Sequence, residues 1–269
     1  MWSHLERGSS PVDWCESNYS ISPMIAEFVN TVSNFLFFLF PPVLIHLFQE
    51  YSKFFNPAIN VLWVLLMLVG VSSAYFHATL SLVGQLMDEL AILWMFLAGL
   101  AILLPKRYFP AFFHGSRRRM ALVSTSMGIV LMVCLIMHPA ANAFALMTLT
   151  VPTLRILYTE LIRVKCARVF RLGLRCSAVT LLAIFCWFMD RMFCDAWLSI
   201  DFPYMHGVWH VLSFIASYTM LVLFAFFNAT EERPEQKPQL RYWPVNEFEL
   251  GIPYVSIKDP CKKDSNLAI

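Results

Sequence analysis

Residues 58–77 read AINVLWVLLMLVGVSSAYFH, a run of twenty residues without Asp, Glu, Lys or Arg that ends on a histidine. A bilayer core of roughly 30 Å is crossed by a helix of about 20 mostly apolar residues. The run therefore predicts a transmembrane helix. Because its last turn holds a serine and the histidine, the same segment also places polar chemistry at one membrane surface.

The composition of the whole chain agrees with a membrane location. Hydrophobic residues make up 58% of the 269 residues and charged residues 14%, whereas soluble domains average about 45–50% and 25%. So little charge cannot cover a water-facing surface, and the composition also excludes a disordered chain and a small disulfide-stapled secreted domain. The net charge of +2 gives nucleic-acid binding no support. The chain is predicted to be an all-α membrane protein.

Seven apolar stretches are long enough to cross the bilayer as helices. They are residues 27–48, 58–77, 87–104, 121–137, 142–162, 175–192 and 207–227. The fourth and fifth are the least well separated, because residues 138–141 alone lie between them and Pro139 is the main turn signal. The sequence thus predicts a seven-transmembrane-helix bundle.

The positive-inside rule sets the orientation of these helices. Arg7 and Arg191 fall on one side and Arg155 within a span, whereas all other Lys and Arg residues share the opposite side. We therefore expect a lumenal N-terminus and a cytosolic C-terminus, in three regions. These regions are a lumenal segment (1–26), the transmembrane domain (27–227) and a cytosolic tail (228–269). The tail is expected to be largely disordered, because it shows little apolar periodicity.

Three histidines cluster at the lumenal ends of predicted helices, where ionisable groups are costly. His206 and His210, in HGVWH, are spaced i, i+4 and project from one helix face. His77, the last residue of the second span, can complete a set of three nitrogens. Three protein ligands leave the fourth tetrahedral position of a zinc ion open, as in catalytic sites. The alternative is an interhelical hydrogen-bond network without metal.

Two more polar residues lie at the same predicted depth. Asp88 begins the third span and can accept a proton from a zinc-activated water. Ser73 lies one helical turn before His77, and its hydroxyl can donate a hydrogen bond to a polarised carbonyl oxygen. The alternative for Ser73 is a bond to a carbonyl of its own helix. Further charges in or near the spans are expected to be structural: Arg155, Glu160, Asp190 and Arg191.

The N-terminal segment carries oxygen ligands of the kind that calcium prefers. Three carboxylates, an amide oxygen and a backbone carbonyl can supply them: Asp13, Glu16, Glu27, Asn18 and Trp14. The alternative is a solvated acidic segment, with Glu27 favouring the positive end of a helix dipole. Asn18-Tyr19-Ser20 is also a glycosylation sequon. Because Asn18 cannot be both a calcium ligand and a glycan acceptor, these two interpretations exclude each other.

Two of the seven cysteines, Cys15 and Cys194, fall on the lumenal side of the predicted arrangement. An oxidising lumen allows them to form a disulfide. Such a bond would hold the acidic N-terminal segment close to the helix that carries His206 and His210. The other five cysteines need no role beyond that of small apolar residues.

Five motifs, taken in order along the chain, resemble those of the alkaline ceramidases. They are DWCESNY at 13–19, IAEFVNTVSN at 25–34, SxxxH at 73–77, MDEL at 87–90 and HGVWH at 206–210. The serine and histidine motifs are shared with a wider superfamily that includes adiponectin receptors and glycolipid-remodelling enzymes. The acidic N-terminal motif together with NTVSN makes the resemblance specific to ceramidases.

The resemblance implies a seven-helix hydrolase that cleaves the amide bond of ceramide to give sphingosine and a free fatty acid. It implies zinc on the three histidines, Asp88 as the base, Ser73 as the oxyanion donor and a structural or regulatory calcium on residues 13–27. The substrate would enter from the bilayer, in the endoplasmic reticulum rather than the Golgi membrane, and the sequence does not indicate which proteins, if any, are partners. The residues alone leave two alternatives open: another metal-dependent lipid hydrolase of the superfamily, or a seven-helix receptor with structural zinc.

Overall fold

The computed structural model describes residues 3–137 and 141–257, which are mostly helical. Ten α-helices and two strands occur within these ranges. The helices are α1 Phe28–Val32, α2 Leu36–Leu47, α3 Gln49–Phe54, α4 Ile59–Thr79, α5 Leu82–Leu103, α6 Arg117–Met137, α7 Ala141–Val164, α8 Ala167–Met192, α9 Cys194–Leu198 and α10 Met205–Glu232. The strands are β1 Gln239–Trp243 and β2 Ile252–Ser256.

Five helical stretches of the described chain are long and apolar enough to cross a membrane. They are Phe28–Leu47, Ile59–Thr79, Leu82–Leu103, Ala167–Met192 and Met205–Glu232. This finding agrees with a helical membrane protein. Two further helices, α6 and α7, contain 21 and 24 residues and coincide with the fourth and fifth predicted spans. The turn expected at His138 and Pro139 lies outside the described residues.

Several predicted boundaries are wrong by up to eight residues. Helix α5 begins at Leu82 rather than at residue 87, because the Ser81 side chain accepts a hydrogen bond from the backbone N–H of Gly84 and caps the helix. Helix α8 begins at Ala167 rather than at residue 175. Its first two turns carry arginines that pair with Glu249, so the helix continues beyond the apolar run.

Helices α4 and α10 lie at the centre of the bundle. Helix α4 packs against α2 and α5, and α10 packs against α8. Trp63 and Leu66 on α4, and Val222 and Leu223 on α10, are fully buried. Gly70 allows the close approach of α2 to α4, because a side chain there would collide with Phe37. The two helices that carry the three histidines therefore lie in the best-packed part of the fold.

The expectation of a largely disordered tail is wrong for residues 239–256, and the fold is not purely α. Strands β1 and β2 pair antiparallel, with Leu240 opposite Val255. The burial of β1 alternates, and Leu240, Tyr242 and Val255 join the main hydrophobic core. A half-buried strand of this kind alternates apolar and polar residues with a period of two, which a search for helical periodicity misses. Tail residues after 257 lie outside the described chain.

Candidate functional site

The three predicted histidines come together between α4 and α10. His77 lies in the last turn of α4, and His206 and His210 lie in the first two turns of α10. Their candidate ligand nitrogens all lie within 4.8 Å of one another. The exposed fractions of the three residues are 0%, 2% and 2%. Among the described residues, this is the one group of three His, Cys, Asp or Glu side chains close enough to share a metal ion.

The unpaired nitrogens of this group fit a metal ion. His77 Nε2 and His206 Nδ1 are buried and have no hydrogen-bond partner among the described residues, and an unpaired buried polar atom is destabilising. His77 Nδ1 lies 2.5 Å from Glu27 Oε2, and a proton on Nδ1 leaves the Nε2 lone pair free for a metal. His210 Nδ1 lies 2.6 Å from Ser33 Oγ. The three-histidine group can therefore bind a metal ion such as zinc.

Ser73 contacts the three-histidine group, and Asp88 lies beside Ser73. Ser73 Oγ lies 3.4 Å from His210 Nε2 and close enough to the Asp88 carboxyl group to interact with it. Asp88 is 8% exposed, and its Oδ1 has no hydrogen-bond partner among the described residues. The neighbouring Ser72 instead donates to backbone carbonyls of its own helix. The two adjacent serines of α4 thus differ in their partners. Ser73 contacts the three-histidine group, whereas Ser72 bonds only the backbone of its own helix.

The inner part of the acidic segment contacts the start of α1. Glu16 accepts hydrogen bonds from the backbone N–H groups of Val29 and Asn30, at 2.7 and 2.8 Å. Burial raises the pKa of Glu16 above its usual range, although these two N–H groups favour the ionised carboxylate. Glu27 accepts from the backbone N–H of Trp14 at 3.0 Å and from Asn30 Nδ2 at 3.1 Å. Glu16 and Glu27 are therefore packed onto the helix and are not part of a solvated acidic segment.

The outer part of the segment lies at the surface. Asn18 Nδ2 lies 3.1 Å from both carboxylate oxygens of Asp13, and the Asp13 side chain also interacts with Glu27. The structure thus brings Asp13, Asn18 and Glu27 into one neighbourhood. It turns both oxygens of Glu16 towards backbone donors.

Asp190 is a site residue that the sequence interpretation missed. It is 2% exposed. Its Oδ2 accepts from the backbone N–H of Cys15 at 3.1 Å, and its Oδ1 accepts from the backbone N–H of His206 at 3.0 Å. The neighbouring Arg191 guanidinium donates to the carbonyl of Asp13 at 3.0 Å. The sequence did contain a signal for this role: Asp190 is an acidic residue in an apolar span, four residues before the lumenal Cys194.

Further contacts hold the N-terminal segment against the histidines. Cys15 and Cys194, the predicted pair, form a disulfide with a Cα–Cα distance of 5.3 Å. The Trp14 ring stacks on the His206 ring, with a centroid distance of 3.6 Å, and the Arg191 guanidinium lies 5.8 Å from the Trp14 ring. At the other end of the bundle, Glu160 forms an ion pair with Arg107 at 2.9 Å.

A cavity of about 640 Å³ opens beside the histidines. Helices α5, α7, α8 and α10 supply most of its lining. Asp88, Trp14 and His206 line one end, and Leu103 and Phe224 line the other. The polar groups are concentrated at the first end, so the arrangement suits a ligand with one polar, reactive end and a long apolar body.

These features define the class of protein: a helical membrane protein whose buried three-histidine group, with a carboxylate and a hydroxyl beside it, meets a long apolar cavity. The chain belongs to the ceramidase family, because the family model named Ceramidase matches residues 6–256. Alkaline ceramidase of Drosophila melanogaster is 57% identical, over 97% of this chain and 92% of that protein. Alkaline ceramidase 1 of Homo sapiens is 38% identical, over 93% and 95% of the two chains. The resemblance found in the motifs is confirmed.

Proposed function

We propose that this protein hydrolyses the amide bond of ceramide to sphingosine and a free fatty acid. The observation that carries the proposal is the position of the three-histidine group and Ser73 behind one end of an apolar cavity, where His206 and Asp88 form part of the lining. Relatives such as alkaline ceramidase 1 of Homo sapiens, whose name states its activity, indicate the substrate class. The cavity, with its charged residues at one end, suits the polar end and one hydrocarbon chain of such a lipid.

The metal is zinc. Its three ligands are neutral imidazoles, which zinc accepts in catalytic sites with an open fourth position. When bound, zinc supplies Lewis acidity for the amide carbonyl and lowers the pKa of water towards neutrality. Glu27 fixes the orientation and the tautomer of His77 through the contact at Nδ1, and Ser33 does the same for His210.

The residues of this chain then carry the proton and the developing charge. Asp88 accepts a proton from the attacking water and delivers it to the amine nitrogen as the amide C–N bond breaks. Ser73 donates a hydrogen bond to the carbonyl oxygen while negative charge develops there. The apolar lining beyond these groups holds a hydrocarbon chain and keeps bulk water away from the reacting amide.

All seven long helices span the membrane, with the N-terminus in the lumen of the endoplasmic reticulum and the C-terminus in the cytosol. Helices α6 and α7 would be about 31 and 36 Å long at 1.5 Å per residue, which is enough to cross the bilayer core. The distribution of Lys and Arg supports this orientation. The disulfide between Cys15 and Cys194 also supports an oxidising compartment for the site.

A structural or regulatory calcium binds the N-terminal segment through Asp13, the Trp14 carbonyl, Glu16, Asn18 and Glu27. The proximity of the Asp13 and Glu27 carboxyl groups supports a cation between them. Chelation of calcium should lower the melting temperature of the purified protein, and Asn18→Ala should weaken that response. An unchanged melting temperature on chelation, or a glycan on Asn18 in the active protein, would contradict the site.

The experiment that tests the function compares two adjacent serines and one carboxylate. Sphingosine release from ceramide is measured for the parent protein, Asp88→Asn, Ser73→Ala and Ser72→Ala, with the zinc content of each. We expect losses in kcat of roughly 10²–10⁴ for Asp88→Asn and roughly 10²–10³ for Ser73→Ala, at unchanged zinc content. Ser72→Ala is the matched control and should retain activity. No release by zinc-loaded parent protein would favour a receptor with structural zinc, and release of a different lipid product would favour another hydrolase.

A further inference from the structure

The apolar cavity extends well beyond the reacting groups. It is lined along α5 from Asp88 to Leu103 and along α10 from His206 to Phe224. At 1.5 Å per residue, Leu103 lies about 22 Å from Asp88 along the helix axis. One leaflet fills about half of the roughly 30 Å bilayer core, so the cavity continues beyond the depth at which an ordinary acyl chain ends.

The deep part of the cavity presents hydrocarbon to its ligand. Leu103, Leu221 and Phe224 line it and are themselves buried. Two threonines that line the cavity do not make it polar. Thr150 and Thr180 each donate their hydroxyl hydrogen to the carbonyl four residues earlier in their own helix, at 2.8 Å. Their hydrogen-bonding capacity is thus used locally, and an acyl chain fits such a wall.

Gly99 separates the upper part of the cavity, which begins at Asp88, from the deep part, which ends at Leu103. It lies about 17 Å from Asp88 along α5, which is close to the depth of one leaflet. A Cβ atom at Gly99 would lie 3.4 Å from Leu221 Cδ2 on α10, which is an ordinary contact. A methyl group therefore fits at this position, whereas a larger side chain must occupy space in the cavity.

We propose that the cavity below Gly99 is a subsite for acyl chains longer than one leaflet, and that Gly99 and Leu221 together determine the chain length the protein accepts. The inference rests on the proposed function, because the amide carbonyl must lie at Asp88 and Ser73. The acyl chain begins at that carbonyl carbon and so enters the cavity directly. The sphingoid chain is separated from the carbonyl by the amide nitrogen and by carbons that carry hydroxyl groups.

The experiment uses full-length protein in detergent and ceramides that share one sphingoid base. Their acyl chains have about six, sixteen and twenty-four carbons, of which the second spans roughly one leaflet. Gly99→Leu is compared with the parent protein and with Ala178→Leu, which adds a similar side chain on the exposed face of α8 outside the cavity. A second readout is the rise in melting temperature produced by free fatty acids of the same three lengths.

Gly99→Leu should lower kcat/KM for the longest substrate by at least about tenfold relative to the shortest, because each methylene that loses its place in the cavity costs about fourfold. Ala178→Leu should leave this ratio unchanged, and Leu221→Ala added to Gly99→Leu should restore it. Equal losses at all lengths, or an unchanged ratio, would overturn the subsite. If no ceramide is hydrolysed, the fatty-acid readout still decides: stabilisation by the longest acid that Gly99→Leu abolishes supports the subsite, and stabilisation independent of residue 99 overturns it.

Discussion

Asp190→Ala should both destabilise the protein and misplace His206. The Asp190 carboxylate is 2% exposed and accepts backbone N–H groups from Cys15 and His206, at 3.1 and 3.0 Å. The His206 N–H belongs to the first turn of α10, where backbone donors have no partner within the helix. Removal of the carboxylate therefore leaves two buried donors without an acceptor.

Each unsatisfied buried donor costs about 1–3 kcal/mol, so the free energy of unfolding should fall by about 2–6 kcal/mol. At about 2–4 °C per kcal/mol, the melting temperature should fall by roughly 4–24 °C. A shift of about 1 Å in a catalytic or metal-binding group can cost about 10²-fold in rate. We therefore expect sphingosine release per folded molecule to fall as well, because His206 loses the bond that holds its backbone.

Thermal unfolding in detergent and sphingosine release are measured side by side for Asp190→Ala, Asp190→Asn and Asp195→Ala. Asp195→Ala is the matched control, because that carboxylate lies exposed in α9, and surface changes of this kind stay within about 0.5 kcal/mol. Asp190→Asn keeps one acceptor and should give an intermediate result. The reasoning is refuted if Asp190→Ala unfolds at the same temperature as the control, or if it loses stability while its folded fraction keeps full activity.

Two more predictions concern the two ends of the helical bundle: the Cys15–Cys194 disulfide at one end and the Arg171–Glu249 pair at the other. Replacing Cys15 and Cys194 with serine should lower the free energy of unfolding by about 2–5 kcal/mol in thermal melts, whereas Cys134→Ser, at an exposed free cysteine, should not; equal effects would contradict a structural disulfide. A hydrogen bond from Arg171 lowers the pKa of Glu249 to about 2, below the usual value of about 4.3. The stabilisation from this pair should be present above about pH 4.3 and lost as the pH falls towards 2. Limited proteolysis should therefore cleave the β1–β2 hairpin of the parent protein faster as the pH falls through this range. In Glu249→Gln the cleavage rate should not show this pH dependence.

The sequence predicted the parts of the site that follow from local spacing. His206 and His210 share a helix face because they are four residues apart, and Ser73 and His77 do so for the same reason. The apolar runs also located the central helices, because a bilayer demands about 20 apolar residues whatever their neighbours are.

Contacts between distant parts of the chain could not be predicted in this way. Glu27 contacts His77 fifty positions later, and Asp190 contacts Cys15 at a separation of 175. No local pattern in the sequence specifies that Glu27 contacts a histidine whereas Asp190 accepts backbone N–H groups. The tail was misassigned for a different reason: β1 and β2 are five residues each, too short for an alternating pattern to stand out among Pro, Glu and Lys.

Metal content and ceramide turnover, measured together for the parent protein and His206→Ala, test whether this protein is a zinc-dependent ceramidase. We expect about one zinc per parent molecule, with release of sphingosine and fatty acid in equal amounts. Zinc and turnover should both be lost in folded His206→Ala, because His77 and His210 alone cannot complete the set of three nitrogens. Turnover that persists in metal-free His206→Ala would contradict zinc-dependent hydrolysis.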